Sequence, residues 1–369
     1  MAKDSKKILI AAGGTGGHIL PALSLAHYFP KEDVVWLGSS RDVEKTILSN
    51  TPWPTHSLVV KPFRGVKLVA AIQAFMSLCY AFFQTGYYFV RYRPSGVITT
   101  GGYVSFTAGV WAKLLGIPLF LCEQNCVPGW TNRLLAPLAT TIYTAYEGVF
   151  ASYKHKVMAY GNPLRRVLVD YHLANSDKGD LADRSGFHIL VMGGSQGSQF
   201  LNRVMPEIIA DLKLSAPVSV THQCGAADHL WLTQAYVERS IDASVHTFID
   251  DIYNVYQTTD LVIARAGALT ISEILAMGLS SILVPLPGSR DDHQLCNALY
   301  YQKRGAVSLI AQSQFKGVAV KHIQSILMGA SVRDRMSRCA LREAKPHAAR
   351  DIVSHCSQHM DMDIVKDDG

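Results

Sequence analysis

KKILIAAGGTGGHILPALSLA, residues 6–26, runs from an apolar strand through a glycine-rich turn into a helical pattern. The strand, Lys7–Ala12, shows no polar alternation, so both faces of its sheet must be covered. A glycine turn leading directly into a helix is the strand-to-helix junction of an open parallel α/β sheet. FHILVMGGSQGSQFLNRV, residues 187–204, repeats the signature, so the pattern restarts in mid-chain. Gly101-Gly102-Tyr103-Val104-Ser105 is a third such junction.

Working outward, short apolar runs alternate with helical patterns along the whole chain. Strands are predicted at Lys7–Ala12, Val34–Leu37, Val97–Thr99, Pro118–Glu123 and Thr141–Thr144. A second series falls at His188–Met192, Val218–His222, Val245–Phe248, Leu261–Ala264 and Ser281–Pro285. With 369 residues, 49% apolar and 17% charged, the chain suits two well-buried domains. We expect an N-terminal domain over 1–162 and a C-terminal one over 163–341, hinged at Gly161-Asn162-Pro163. The segment 342–369 is expected to carry a helix that packs back on the first domain, and the polar stretch 171–186 to be a surface loop. Seven cysteines without a CxxC spacing, and an opening without the apolar core of a signal peptide, predict a reducing compartment.

Charge is unevenly spread. Residues 1–162 hold 15 Lys and Arg against 7 Asp and Glu, whereas the remainder holds 20 against 22. A basic first half suits an anionic surface or phosphorylated ligand. Nucleic acid is disfavoured, because neither a basic helix nor an RNA-binding aromatic signature is present. Leu68–Val90, LVAAIQAFMSLCYAFFQTGYYFV, is nearly long enough to span a bilayer, but Gln73, Gln84 and Gly86 interrupt it and Pro94 closes it. It reads either as a buried crossover helix or as a helix with an exposed apolar patch at Phe75, Leu78 and Phe82. Basic residues Lys61, Arg64, Lys67, Arg91 and Arg93 would rim that patch at an anionic membrane surface.

Glycine turns let backbone N–H groups approach a ligand, and the following helix N-terminus favours phosphate. The dinucleotide fingerprint fails: a third glycine would fall at Ile19, and no acid ends the strand Val35-Trp36-Leu37. No Gly-Lys-Ser/Thr follows any turn, so a Walker loop is absent. After Leu261–Ile263, Gly267 to Thr270 suit a diphosphate, and Glu273 one turn on suits two ribose hydroxyls. Thr270 and Glu273 equally match a capping box. Gln294 and Asn297 share a helix face and form a candidate sugar pocket. His18, inside the first turn at a helix N-terminus, reads as a neutral general base or as a cap of its own helix. Glu123, at a strand C-terminal end, is the second base candidate. Neither zinc spacing nor an Asp-x-Asp is present, so no metal and no cofactor are expected.

Together GGTGGH at Gly13, GGYVS at Gly101, EQN at Glu123, GNPLR ending at Arg165, GGSQG at Gly193, FIDDI at Phe248, RAGALTISE and DDHQLCNA resemble one family along nearly the whole chain. It is the membrane-associated N-acetylglucosaminyltransferases of peptidoglycan synthesis. The resemblance implies a GT-B architecture: two Rossmann-like α/β domains with parallel sheets facing a central cleft. It implies inverting, metal-independent transfer of N-acetylglucosamine from UDP-GlcNAc to undecaprenyl-pyrophosphoryl-N-acetylmuramoyl-pentapeptide (lipid I), giving lipid II. The implied site is peripheral, on the cytoplasmic face of the bacterial inner membrane.

Carried over by position, the donor set is Thr15, Gly16, Gly17, Asn125, Arg165, Ser195, Ile249, Ala268, Leu269, Thr270, Ile271, Ser272, Glu273 and Gln294. Gly13, Gly14, Gly101, Gly102 and Tyr103 would face the lipid pyrophosphate. The family's membrane patch falls on Leu68–Val90. Two rival readings remain: a UDP-GlcNAc 2-epimerase of the same architecture, and a non-catalytic sugar-nucleotide scaffold.

Overall fold

A computed structural model describes residues 6–14, 16–39, 44, 47–49, 51–60, 68–175, 186–194 and 196–365. The chain divides into two compact units, Met1–Arg165 with His347–Gly369, and Arg166–Pro346.

In the first unit the described strands are β1 (Ile8–Ala11), β2 (Val34–Ser39), β3 (Thr55–Leu58), β4 (Gly96–Thr99), β5 (Leu119–Glu123), β6 (Thr141–Thr144) and β7 (Val157–Met158). They form one parallel sheet in the order β3-β2-β1-β4-β5-β6-β7. Along β1, Ile8 and Ile10 join one buried cluster and Leu9 and Ala11 another. That two-sided burial is why the strand reads as a continuous apolar run. The helix Ala348–Met360 supplies Ala349, Ile352, Val353, Cys356 and Met360 to the first cluster. It lies so close to β4 that a Cβ on Gly96 would be 2.0 Å from Met360 Sδ.

In the second unit the strands are β8 (Phe187–Met192), β9 (Val218–Gln223), β10 (Asp242–His246), β11 (Leu261–Ala264), β12 (Ser281–Leu283) and β13 (Ser308–Leu309). All pair in parallel, in the order β10-β9-β8-β11-β12-β13. Helices Gln199–Ala210 and Gln312–Met328 bury Leu201, Val204, Met205, Phe315, Ile323 and Leu327 in the core of this sheet.

Both sheets share one topology. The chain steps outward from a central strand, returns, and continues on its other side, so the order reverses beside β1 and beside β8. Ligands of open α/β sheets bind outside strand ends at that reversal. The sequence reading lacks β3, β7 and β13, which are edge or near-edge strands without a fully buried apolar run. It also places β10 too late, because Asp242–His246 is a half-exposed edge strand opened by an acid.

Candidate active site

In the first unit the turns after β1 and β4 meet at the reversal point. His18, in the helix Gly16–Ala26, has Nδ1 2.7 Å from the Thr100 carbonyl oxygen. Thr100 Oγ1 donates back to the His18 carbonyl at 2.9 Å. A carbonyl accepts only, so this contact assigns the proton of a neutral ring to Nδ1 and the lone pair to Nε2. The imidazole is thereby oriented by backbone, as a proton acceptor needs to be.

Close packing explains the glycines. Gly101 has φ 110°, and a Cβ there would lie 2.8 Å from His18 Cε1. A Cβ on Gly102, φ 87°, would lie 2.9 Å from the Gly13 carbonyl. Ser105 Oγ, fully buried, is bonded to Ala11 O and Gly101 O and accepts from Gly101 N, which joins β1 to the second turn. Tyr103 begins the helix Tyr103–Leu114 and is half-buried. Nothing in the sequence points to Glu44, whose buried carboxylate accepts from Ser39 N (2.8 and 2.9 Å) and Ser39 Oγ (2.6 Å). Burial raises its pKa, opposed by bonds from Ser39 and from the Gly14 backbone, so it supports the first turn from below.

Glu123 is committed elsewhere. Its Oε1 accepts from Asn125 N (3.0 Å) and Asn125 Nδ2 (3.4 Å), and its Oε2 from Gly129 N (2.8 Å) and Asn132 Nδ2 (2.9 Å). Four donors on a carboxylate that is 3% exposed make Glu123, the second base candidate, the organiser of the loop 124–132. Asn125 is thus fixed through Glu123, and Arg165 ends the unit half-buried.

In the second unit Gly193 and Gly194 follow β8, with Gly197 N donating to Gly194 O at 3.0 Å, and residues 265–267 follow β11. The helix Ala268–Ala276 begins at Gly267, whose position carries no side-chain cap. Thr270 therefore lies in the first turn, and the capping-box reading of Thr270 with Glu273 falls. Glu273 Oε2 instead accepts from Tyr256 Oη at 3.0 Å, and Tyr256 is 1% exposed. Ile271 is fully buried, and Ser272, half-buried, donates through Oγ to Ala268 O. Leu269 and Thr270 are half-buried and Ala268 is buried. Gln294, in the helix His293–Gln302, accepts at Oε1 from Leu286 N (2.9 Å). Asn297 is fully buried and donates to Ala266 O, so it is not available to a sugar.

Ile249 N donates to Gln223 Oε1 at 3.1 Å, while Gln223 Nε2 donates to Gly194 O at 2.9 Å. One buried amide at the end of β9 thus ties the backbone at Ile249 to the turn at Gly194. Neither Gln223 nor Tyr256 has a sequence signal, since each works through a partner distant along the chain. Thr15 and Ser195 lie outside the described residues. No group of three or more His, Cys, Asp or Glu among the described residues is placed to hold a metal ion.

The helix Leu68–Tyr92 packs on Tyr103–Leu114: Phe82 stacks on Trp111 at 5.0 Å, and Trp111 Nε1 donates to Phe82 O at 2.7 Å. A Cβ on Gly86 would lie 2.4 Å from the Trp111 ring. Phe75 is exposed, but Leu78 and Phe82 are partly covered. The exposed stripe runs instead through Ile72, Met76, Tyr80, Phe83, Tyr87 and Val90, at steps of three or four along one face. This corrects two of the three patch residues. Arg91 and Arg93 are exposed at its end, and Lys61, Arg64 and Lys67 lie outside the described residues. No helix among the described residues is long and apolar enough to cross a membrane.

Two doubly wound units, each with a glycine turn at its reversal point, define the GT-B class of glycosyltransferases. The glycosyltransferase family 28 N-terminal domain matches residues 8–144 and the family 28 C-terminal domain residues 188–352. The chain belongs to glycosyltransferase family 28. It is 37% identical over 359 residues to the UDP-N-acetylglucosamine–N-acetylmuramyl-(pentapeptide) pyrophosphoryl-undecaprenol N-acetylglucosamine transferase of Pseudomonas entomophila, covering 96% of this chain and 98% of that protein. The protein of the same name from Stutzerimonas stutzeri is 38% identical over 352 residues, covering 95% and 97%. The crystal structure of MurG from Acinetobacter baumannii superimposes with a TM-score of 0.76 at 29% identity, covering 96% and 99% of the two chains.

Proposed function

We propose that this protein transfers N-acetylglucosamine from UDP-GlcNAc to the C4 hydroxyl of undecaprenyl-pyrophosphoryl-N-acetylmuramoyl-pentapeptide, with inversion at the anomeric carbon. The observation that carries this is the whole-length relation to transferases bearing that name. The second unit holds the donor. Glu273, oriented by Tyr256, takes the ribose hydroxyls, and Gly193 and Gly194 with the N-terminal turn of the helix Ala268–Ala276 take the diphosphate. Gln294, held by Leu286 N, contacts the sugar. In the first unit, the turns at Gly13 and Gly101 hold the acceptor pyrophosphate.

His18 Nε2 accepts the proton of the C4 hydroxyl as its oxygen attacks the anomeric carbon. The bond to the UDP oxygen breaks on the opposite face, and N–H groups aimed at the leaving diphosphate stabilise its charge. The exposed stripe from Ile72 to Val90, with Arg91 and Arg93 beside it, lies in the headgroup region of the cytoplasmic leaflet and brings the site to its lipid acceptor. Incubation with labelled UDP-GlcNAc and a short-chain lipid I analogue, with and without EDTA, tests this. UDP release that depends on acceptor and survives chelation is expected. Release without acceptor, or no disaccharide product, refutes it.

A further inference from the structure

We propose that Arg265 is the buried counter-charge for the donor diphosphate, a positioning residue whose charge acts on the phosphates without serving as general acid or base. This rests on the donor site proposed above.

Arg265 is the first residue after β11, and its backbone N donates to Met192 O at 3.1 Å, spanning the two strands that flank the reversal point. Its side chain is 8% exposed and turns inward over the Phe200 ring, 5.7 Å from the centroid. Nε donates to Ser198 Oγ (3.0 Å), Nη1 to Val284 O (3.0 Å) and Pro285 O (3.4 Å), and Nη2 to Gln312 Oε1 (2.8 Å). Every one of these acceptors is neutral. Among the described residues no carboxylate pairs with the guanidinium, and burial pulls its pKa below the ordinary arginine range. A buried charge without a counter-ion is costly, and neutral acceptors offset only part of that cost.

The surroundings add positive potential. Ser198, the acceptor of Nε, is the N-cap of the helix Gln199–Ala210, which follows the glycine turn. Gly267, two residues beyond Arg265, opens the helix Ala268–Ala276. Two helix N-termini and one full cation therefore share a single strand-end region. Like potentials packed together are mutually unfavourable until an anion arrives. The hydrogen bonds use the reach of the side chain, but these neutral acceptors leave its charge uncompensated, and that charge calls for an anionic ligand. Arginine suits the position because its planar fork reaches three separate loops at once.

The test measures uridine and UDP affinities calorimetrically in the full chain, so that the difference isolates the phosphates. Arg265→Gln should reduce the preference for UDP over uridine by at least about tenfold while uridine binding stays within about threefold. Arg265→Lys should keep most of the preference. Equal loss for uridine and UDP in a folded Arg265→Gln would make Arg265 a staple only and overturn the proposal, as would an unchanged preference. Should Arg265→Gln fail to fold, Gln312→Ala decides, because it loosens the staple and keeps the charge. A preserved preference supports the proposal, and a lost one overturns it. If the wild-type protein itself binds UDP no better than uridine, the donor-site reading fails instead.

Discussion

Replacing Glu273 with Ala should weaken UDP binding through the ribose alone. A carboxylate offers about four lone-pair positions, and Tyr256 Oη occupies one at 3.0 Å. Hydrogen bonds from ribose hydroxyls to a charged acceptor contribute about 1.5–3 kcal/mol, so the dissociation constant should rise about 10- to 150-fold. Tyr256→Phe leaves the carboxylate but removes its anchor, at a cost of about 0.5–1.5 kcal/mol to binding. The two effects pass through one group, so they should not add. In the Glu273→Ala background, Tyr256→Phe should change affinity by less than about 0.5 kcal/mol. Isothermal titration of the four proteins with UDP and with its 2′,3′-dideoxy analogue provides the cycle. Wild type should discriminate against the dideoxy compound and Glu273→Ala should not. Additive losses, or discrimination that survives in Glu273→Ala, would refute the ribose assignment.

His18→Ala should reduce turnover by at least about a hundredfold with UDP-GlcNAc affinity retained, and an equal loss of both would assign the ring to donor binding. Ile72→Ser with Met76→Ser and Phe83→Ser should release the protein from anionic vesicles without lowering its melting temperature. Phe82→Ser should lower it, because that ring stacks on Trp111. His222 is buried between Tyr236 Oη and Asn202 Oδ1, and burial lowers its pKa to about 3. The unfolded chain therefore takes up this proton first as pH falls, and the stability held above about pH 6.5 is lost progressively toward pH 3. Between pH 7 and 5 the loss should be about 2 kcal/mol. Denaturant titrations should show that part of the acid slope vanish in His222→Gln, and an unchanged slope would mean the ring is protonated in the fold.

Periodicity and glycine placement alone determined the inner strands of both sheets, the three glycine turns, the lack of a dinucleotide fingerprint and the placing of His18 beside the first turn. Those features are local: a strand buried on both faces must be apolar throughout, and a backbone with positive φ at Gly101 and Gly102 favours glycine whatever lies around it. Which partner each polar side chain takes was decided by the tertiary structure. Glu123 reads as a base at a strand end, and only the fold brings Asn125, Gly129 and Asn132 to its oxygens as donors. Glu273 reads as half of a capping box until helix Ala268–Ala276 starts at Gly267 and Tyr256 arrives from the helix before β11. The face of Leu68–Tyr92 left uncovered depends on where Trp111 lies against it, and the need for Gln223 and Arg265 arises only when strands distant in sequence become neighbours. A one-dimensional pattern records what each residue's own backbone requires. Hydrogen-bond partners and buried charge depend on crossings that only the folded topology creates.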